Sequence, residues 1–302
     1  MVMEERLYKF ARLVDAGSYT KAAKVLHISQ PALTTSIKKL ERELQTELLR
    51  RGSHTFALTA AGQIAYDTAK EMGVQADNLR AKLADSANRK PDLRLGLIDG
   101  LANLLFVHGR NLPLLEQQTN LSLTVDNSSR LTDYVEHDAL DIALVARPAT
   151  LPASLHVIEL GEEPLVLVTN KRLAQKYQTG LDNGAITDFL AYNQESHTYN
   201  IVSSYLEQRS LEVTHSFYST SPEIMLELIL EGKGTAALPL LLVQSYLADG
   251  SLCVLKTKDG GVIQRSVVGL HRKGRLLPAE VENVLHQTRE ELRKLAAAAA
   301  KL

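Results

Sequence analysis

Apolar residues recur at helical spacing through the first third of the chain. Leu7, Phe10, Ala11, Leu13 and Val14 predict a helix from Glu5 to about Ala16. A short second helix follows Ser18, a candidate cap. Its Ala22 and Ala23 are small enough for close approach of a neighbour, and Val25 and Leu26 complete a buried face. After a stop at His27-Ile28, Ser29 is placed to cap a third helix with Pro31 in its first turn. Leu33, Ile37, Leu40 and Leu44 then form its inward stripe. Gln30, Thr34, Thr35 and Lys38 are left on the opposite face. A basic β-wing, Arg50 to Thr59, comes next. Thr59 can cap a long helix from Ala60 to about Asn88, where Ile64, Thr68, Met72, Gln75, Leu79 and Leu83 make one narrow stripe. Such a stripe either pairs with its twin in a second subunit or lies on the chain's own second domain.

Beyond the polar hinge Asn88-Arg89-Lys90-Pro91-Asp92 the pattern alternates. Strands are predicted at Leu93–Ile98, Leu121–Val125 and Leu140–Val145, with helical stretches from Leu101 to about Gln118 and from Arg130 to His137. A second set follows: a strand at Leu165–Val168, helices near Thr187–Tyr192 and Ile201–Arg209, and a strand at Val213–Tyr218. After it come a helix at Pro222–Leu230, a strand at Thr235–Leu238, a helix at Leu240–Ala248, a strand at Ser266–Leu270 and a last helix from Pro278 to Lys294. This alternation predicts a mostly parallel sheet covered on both faces. Crossings near Leu155–Pro164 and Leu252–Arg265 divide it into two halves.

The exposed face of the third helix offers what a major-groove reader needs: an amide for adenine, hydroxyls for either base edge, a methyl for thymine and a cation for guanine or phosphate. With the basic wing beside it, this order closely resembles the LysR-type transcriptional regulators. The resemblance is carried by Ser18, Ala22, Ala23, Leu26, His27, Ser29 to Leu33, Ile37, Leu40, Glu41, Leu48, Arg51, Leu58, Thr59 and Gly62. Two positions depart from the family pattern, Gln45 where glycine is usual and Leu49 where phenylalanine is usual. The resemblance implies an α/β chain with an all-α-rich winged helix-turn-helix head (1–59), a long linker helix that dimerises (60–89) and an effector-binding domain (90–295). That domain would be of the periplasmic-binding-protein-like, two-subdomain α/β type, with subdomain I at about 91–160 and 266–295 and subdomain II at about 161–265. The implied partners are double-stranded DNA, a small-molecule effector and further copies of the chain, as a homodimer and a homotetramer. Ser29, Gln30, Pro31, Thr34, Thr35 and Lys38 are expected to read bases or adjacent phosphates, and Arg50, Arg51 and His54 to hold the backbone or minor groove.

Charge agrees with this division of labour. The 302 residues carry a net charge of −1, yet residues 1 to 58 hold ten Lys and Arg against six Asp and Glu. A basic head on a mildly acidic body suits phosphate contact at one end. The single cysteine, Cys253, rules out an internal disulfide and reads as an inert core residue. The amino terminus shows no secretory pattern, and the longest apolar run, Ala236 to Val243, is far short of the ~20 residues of a membrane span. The expected setting is the cytoplasm. The tail from Ala296 to Leu302 reads either as continuation of the last helix or as a vector-derived end, and carries no functional expectation.

Nothing in the chain calls for catalysis, a metal or a cofactor. No two of the nine histidines stand at the i, i+4 spacing of a helical metal pair, and neither a nucleophile elbow nor a phosphate loop is present. Gly232, Gly234 and Ala237 satisfy a loose dinucleotide fingerprint, but in the order helix then strand, the reverse of what that site requires. A ligand cleft is the better expectation, at the carboxyl ends of strands and between the halves. Its candidate residues are Asp99, Gly100, Ser128, Ser129, Arg147, His197, Thr198, Tyr199, Tyr218 and Thr220. A carboxylate at Asp99 repels an anion unless Arg147 or His197 compensates. Asp99 serves equally well as a plain helix cap, and Arg147 as a hinge ion pair. The rival function is a solute-binding or catalytic module whose amino-terminal helices serve only in assembly. A third, a nucleotide-dependent enzyme, rests on the glycine loop alone.

Overall fold

The computed structural model describes residues 2–50, 57–86, 89–108, 115, 117–257 and 262–302, with backbone only at 2, 81, 84–86, 107 and 108. The chain divides into one unit of residues 1–89 and 274–276 and another of residues 90–273 and 277–302.

In the first unit, α1 (Val2–Ala16), α2 (Tyr19–Val25) and α3 (Gln30–Glu43) close around Phe10, Leu13, Ala22, Leu33, Ile37, Leu40 and Leu48. Burying each of the larger side chains contributes about 1.5–3 kcal/mol. Ser29 Oγ accepts the Ala32 N–H at 3.3 Å and so starts α3. Ser18 occupies the cap position of α2 but makes no side-chain bond there. Val25 is 63% exposed, contrary to its expected place in the buried face, because α2 is only two turns long and Ala22 and Ala23 already fill its contact with the core. Gln45 takes the left-handed backbone (φ 53°) that ends α3, a conformation that glycine adopts most easily.

The wing begins with the bridge Leu49–Leu58 and the bond from Arg50 N–H to Ala57 O, 2.9 Å. Glu41 Oε1 accepts the N–H of Leu48 at 2.9 Å and of Leu49 at 3.4 Å, tying the carboxyl end of α3 to the start of the wing. Thr59 Oγ1 accepts the Gly62 N–H at 2.9 Å and caps α4 (Ala60–Ser86). A Cβ at Gly62 would stand 2.0 Å from the Leu48 carbonyl oxygen, so no other residue fits against the wing there. Along α4, Ile64, Leu79 and Leu83 are more than half exposed.

The second unit is built on a single mixed sheet. Its strands are β1 (Asp92–Leu97), β2 (Asn120–Val125), β3 (Ile142–Ala146), β4 (Leu155–Asn170), β5 (Ala185–Tyr192), β6 (Glu212–Ser219), β7 (Thr235–Pro239), β8 (Leu252–Val254) and β9 (Val262–Arg272). They lie in the order β2-β1-β3-β9-β4-β7-β5-β6, with β8 beside β4. Pairings within each half are parallel around β1 and β5, whereas β9 and β4 run antiparallel to their neighbours. The sheet is therefore mixed, not mostly parallel. The two expected crossings are one long ribbon: β4 and β9 pair from Leu155–Arg272 through to Val166–Val262.

The helices are α5 (Asp99–Ala102), which continues as a π-turn over Asn103–His108, then α6 (Ser128–Glu136), α7 (Ala174–Asp182), α8 (His197–Glu207), α9 (Pro222–Leu230), α10 (Leu240–Ala248) and α11 (Glu280–Ala299). Residues Thr187 to Tyr192 form a strand, not the expected helix. Phe189 to Tyr192 are consecutively buried, and a short run buried on both faces has no period to separate the two. One core gathers Leu93–Leu160 and Val267–Leu295, and two others gather residues between Leu165 and Ile263. The alanine tail extends α11, and Ala299 is buried.

Candidate functional site

In the first unit the exposed side of α3 carries Ser29, Gln30, Pro31, Thr35 and Lys38, with Thr34 half-buried. Gln30 Oε1 accepts from Thr20 Oγ1 at 3.1 Å, which fixes the amide to α2. Thr34 Oγ1 donates to the Gln30 carbonyl at 3.0 Å, so its hydroxyl proton is occupied and its methyl and oxygen remain for a base edge. Arg50 is exposed at the base of the wing. Arg51 and His54 lie outside the described residues.

In the second unit the carboxyl ends of β1 and β5 and the amino ends of α5, α8 and α9 converge on the β4–β9 ribbon. Its centre is an ion pair made directly across the ribbon, where Glu163 is the register partner of Arg265. Arg265 donates through Nε to Glu163 Oε2 at 3.0 Å, through Nη2 to the same oxygen, and through Nη1 to Thr198 Oγ1 at 2.8 Å. All three residues are more than nine-tenths buried. Burial works against the Arg265 charge, but Glu163 and Tyr192 together outweigh it and the guanidinium is held charged.

Asp99 opens α5 next to this pair, and a Cβ at Gly100 would stand 2.8 Å from Glu163 Oε1. The Asp99 carboxyl is pushed above its ordinary range by burial, with Glu223 and Asp126 adding repulsion. His197, the first residue of α8, is pushed below its ordinary range by burial and by Arg265, and is neutral at pH 7. Glu223, in the first turn of α9, accepts from Asn103 Nδ2 at 3.3 Å and from Ser221 Oγ at 2.9 Å.

The other expected residues stand apart from this cluster. Arg147 pairs with Glu159 and donates its N–H to Ser266 O, making it a hinge contact. Ser128 Oγ accepts the Ala146 N–H at 3.1 Å and ties α6 to β3. Ser129 and Thr220 are exposed. Tyr199 and Tyr218 join His215 in an aromatic group, with the rings of His215 and Tyr218 stacked at 5.3 Å. The sequence reading missed Glu163, Tyr192, Glu223 and Arg265. The signal for Arg265 was present: a cation inside the apolar run from Val262 to Leu270 is buried only if it is paired. Among the described residues no three His, Cys, Asp or Glu side chains stand together as a metal set, and no helix is long and apolar enough to cross a membrane.

The helix-turn-helix with its wing and the ribbon-joined α/β halves both have counterparts in one family. Residues 5–63 match the bacterial regulatory helix-turn-helix protein model of the lysR family, and residues 88–293 match the LysR substrate binding domain. The chain belongs to the LysR family of bacterial transcriptional regulators. Among its relatives is the HTH-type transcriptional activator AaeR of Escherichia coli K12, 25% identical over 287 residues, or 93% of this chain and 91% of that one. Two solved structures share the fold. LysG of Corynebacterium glutamicum, with bound effector Arg, is 18% identical with a TM-score of 0.65, covering 95% of this chain and 98% of that one. DarR of Vibrio fischeri, in complex with DNA, is 22% identical with a TM-score of 0.52 over 95% and 98% of the two chains. As a LysR-family member the chain pairs a DNA-binding head with an effector-binding domain.

Proposed function

We propose that this LysR-type regulator reads operator DNA with Gln30, Pro31, Thr34, Thr35 and Lys38 of α3. Arg50, with Arg51 and His54, holds the phosphate backbone or minor groove beside it. The observation that carries the reading is the division of α3 into a face buried by Leu33, Ile37 and Leu40 and a face of exposed polar side chains, started by the Ser29 cap. The effector binds between the two α/β halves, against Asp99, Gly100, His197 and Thr198. That placement is supported by the convergence of strand and helix ends on the ribbon.

The exposed stripe of α4, with Ile64 at 68% and Leu79 at 58%, supports pairing of that helix with a second copy. We assign a homodimer through α4 and a homotetramer on DNA, acting in the cytoplasm where the DNA is, without catalysis and without a cofactor. A footprint on the DNA upstream of the gene tests the reading. Two protected half-sites separated by about one helical turn, or a multiple of it, are expected. Protection of one isolated half-site would contradict the paired arrangement.

A further inference from the structure

Two carboxylates in the cleft have no cationic partner among the described residues. Asp126 has Arg130 at 3.5 Å and Glu163 has Arg265, but Asp99 and Glu223 meet neither an arginine nor a lysine. The donors on Glu223, Asn103 and Ser221, are neutral. Asn103 stands four residues after Asp99 on one helical segment, so Glu223 is held one turn along the face that Asp99 begins. The cations that would offset an anion here are committed elsewhere: Arg147 to Glu159, and Arg265 to Glu163 and Thr198. His197 contributes no charge at pH 7, because burial and Arg265 both disfavour its protonated form.

A third group is incomplete in a different way. Tyr192, at the carboxyl end of β5, is 6% exposed, and its hydroxyl is buried without a hydrogen-bond partner. That hydroxyl lies within electrostatic reach of Asp99, Glu223, Glu163 and Arg265, so it is directed into the same cluster. A buried hydroxyl left unpaired is unfavourable, and its position marks where a ligand atom completes it.

We infer that the cleft binds a small organic cation through a primary ammonium group held by Asp99, Glu223 and the Tyr192 hydroxyl. An ammonium carries three N–H donors and no acceptor. The two carboxylates and the phenolic oxygen offer it three acceptors. It supplies the positive charge the cleft lacks, whereas a carboxylate ligand adds a further like charge to Asp99 and Glu223. Burial, Glu223 and Asp126 hold the Asp99 carboxyl above its ordinary range, and a bound ammonium draws it back down. The inference rests on the reading that the effector lies between the two halves.

Thermal unfolding of the full-length chain tests it, using butylamine, 1,4-diaminobutane and L-lysine against succinate and 1,4-butanediol at constant ionic strength. A ligand that binds only the native state raises the midpoint in a saturable way, so about 10 mM of each compound reports millimolar affinities. At least one ammonium compound is expected to stabilise the protein. Asp99→Asn and Glu223→Gln are each expected to weaken that binding at least tenfold, and Tyr192→Phe severalfold. Glu212→Gln, an exposed carboxylate at the start of β6, is expected to bind as the parent does. Stabilisation by no ammonium compound overturns the assignment. Stabilisation by succinate that strengthens in Asp99→Asn and Glu223→Gln overturns it too, while keeping the ligand in the cleft. Stabilisation by any compound that neither variant alters places the ligand elsewhere and overturns both the assignment and the cleft reading.

Discussion

Glu163 and Arg265 face each other across the β4–β9 ribbon and are joined through two guanidinium nitrogens on one carboxylate oxygen. The ribbon joins the two halves of the effector domain, pairing from Leu155–Arg272 to Val166–Val262 with one register shift between Glu159 and Gly161. Through Thr198 and Gly100 the pair reaches the amino ends of both α8 and α5.

Removing one partner leaves a buried charge without compensation. Arg265→Met is expected to lower the unfolding free energy by about 3–5 kcal/mol. The double variant Glu163→Leu, Arg265→Met should recover most of that loss, since no buried charge remains. Urea titrations of the parent, single and double variants measure both values. A double variant as unstable as the single would show that packing around the guanidinium, and not its charge, is what matters.

Asp99 gives a pH dependence of defined sign. Its pKa is raised in the folded chain, so its contribution to stability is fully present below the unfolded value and is lost as pH rises through the folded one. Asp99→Asn removes the loss. Its melting temperature should exceed that of the parent at pH 7 by about 1–2 °C, and the two should converge below about pH 4. Thermal unfolding across pH 3.5–8 provides the check. A variant less stable than the parent at pH 7 would mean that the carboxylate is held by a favourable contact.

At the end of α3, Gln45 occupies a conformation that glycine adopts without steric cost. Gln45→Gly should stabilise the head by about 0.5–1 kcal/mol, the difference between the left-handed strain and the extra chain entropy of glycine. Denaturant unfolding of the parent and variant measures it. No gain would indicate that the Gln45 side chain makes up the difference locally.

Much of this was legible in the sequence, for local reasons. Ser29 with Pro31 announces the start of α3 and Pro222 that of α9, and the spacing of Leu33, Ile37 and Leu40 fixes which face of α3 is free. Residues that act through their neighbours in sequence were found. The cleft was legible only in part, because its partners are distant in sequence: 102 residues separate Glu163 from Arg265, and 120 separate Asn103 from Glu223. The register of an antiparallel ribbon sets the first and the packing of α9 near the α5 segment sets the second, and nothing in a local pattern reports either. The strand Ala185–Tyr192 reads as helix from Thr187 onward because a segment buried on both faces has no period to show.

On the DNA side, the two kinds of contact separate by what each variant loses. Thr34→Ala should cost ~1–3 kcal/mol at particular base pairs of the operator, whereas Arg50→Ala should weaken all sequences alike and reduce the salt slope by about one. Affinities for single-base operator variants distinguish the two. Equal losses from both variants on specific and random DNA would remove the assigned roles.

The most direct measurement is fluorescence anisotropy of the full-length chain with the DNA upstream of its own gene and with a shuffled duplex of the same composition, across a salt series. The upstream DNA should bind more tightly at every salt concentration, and log affinity should fall linearly and steeply with log salt as phosphate contacts release counterions. Indifference to sequence at every salt concentration would contradict the account of α3 as the reading element.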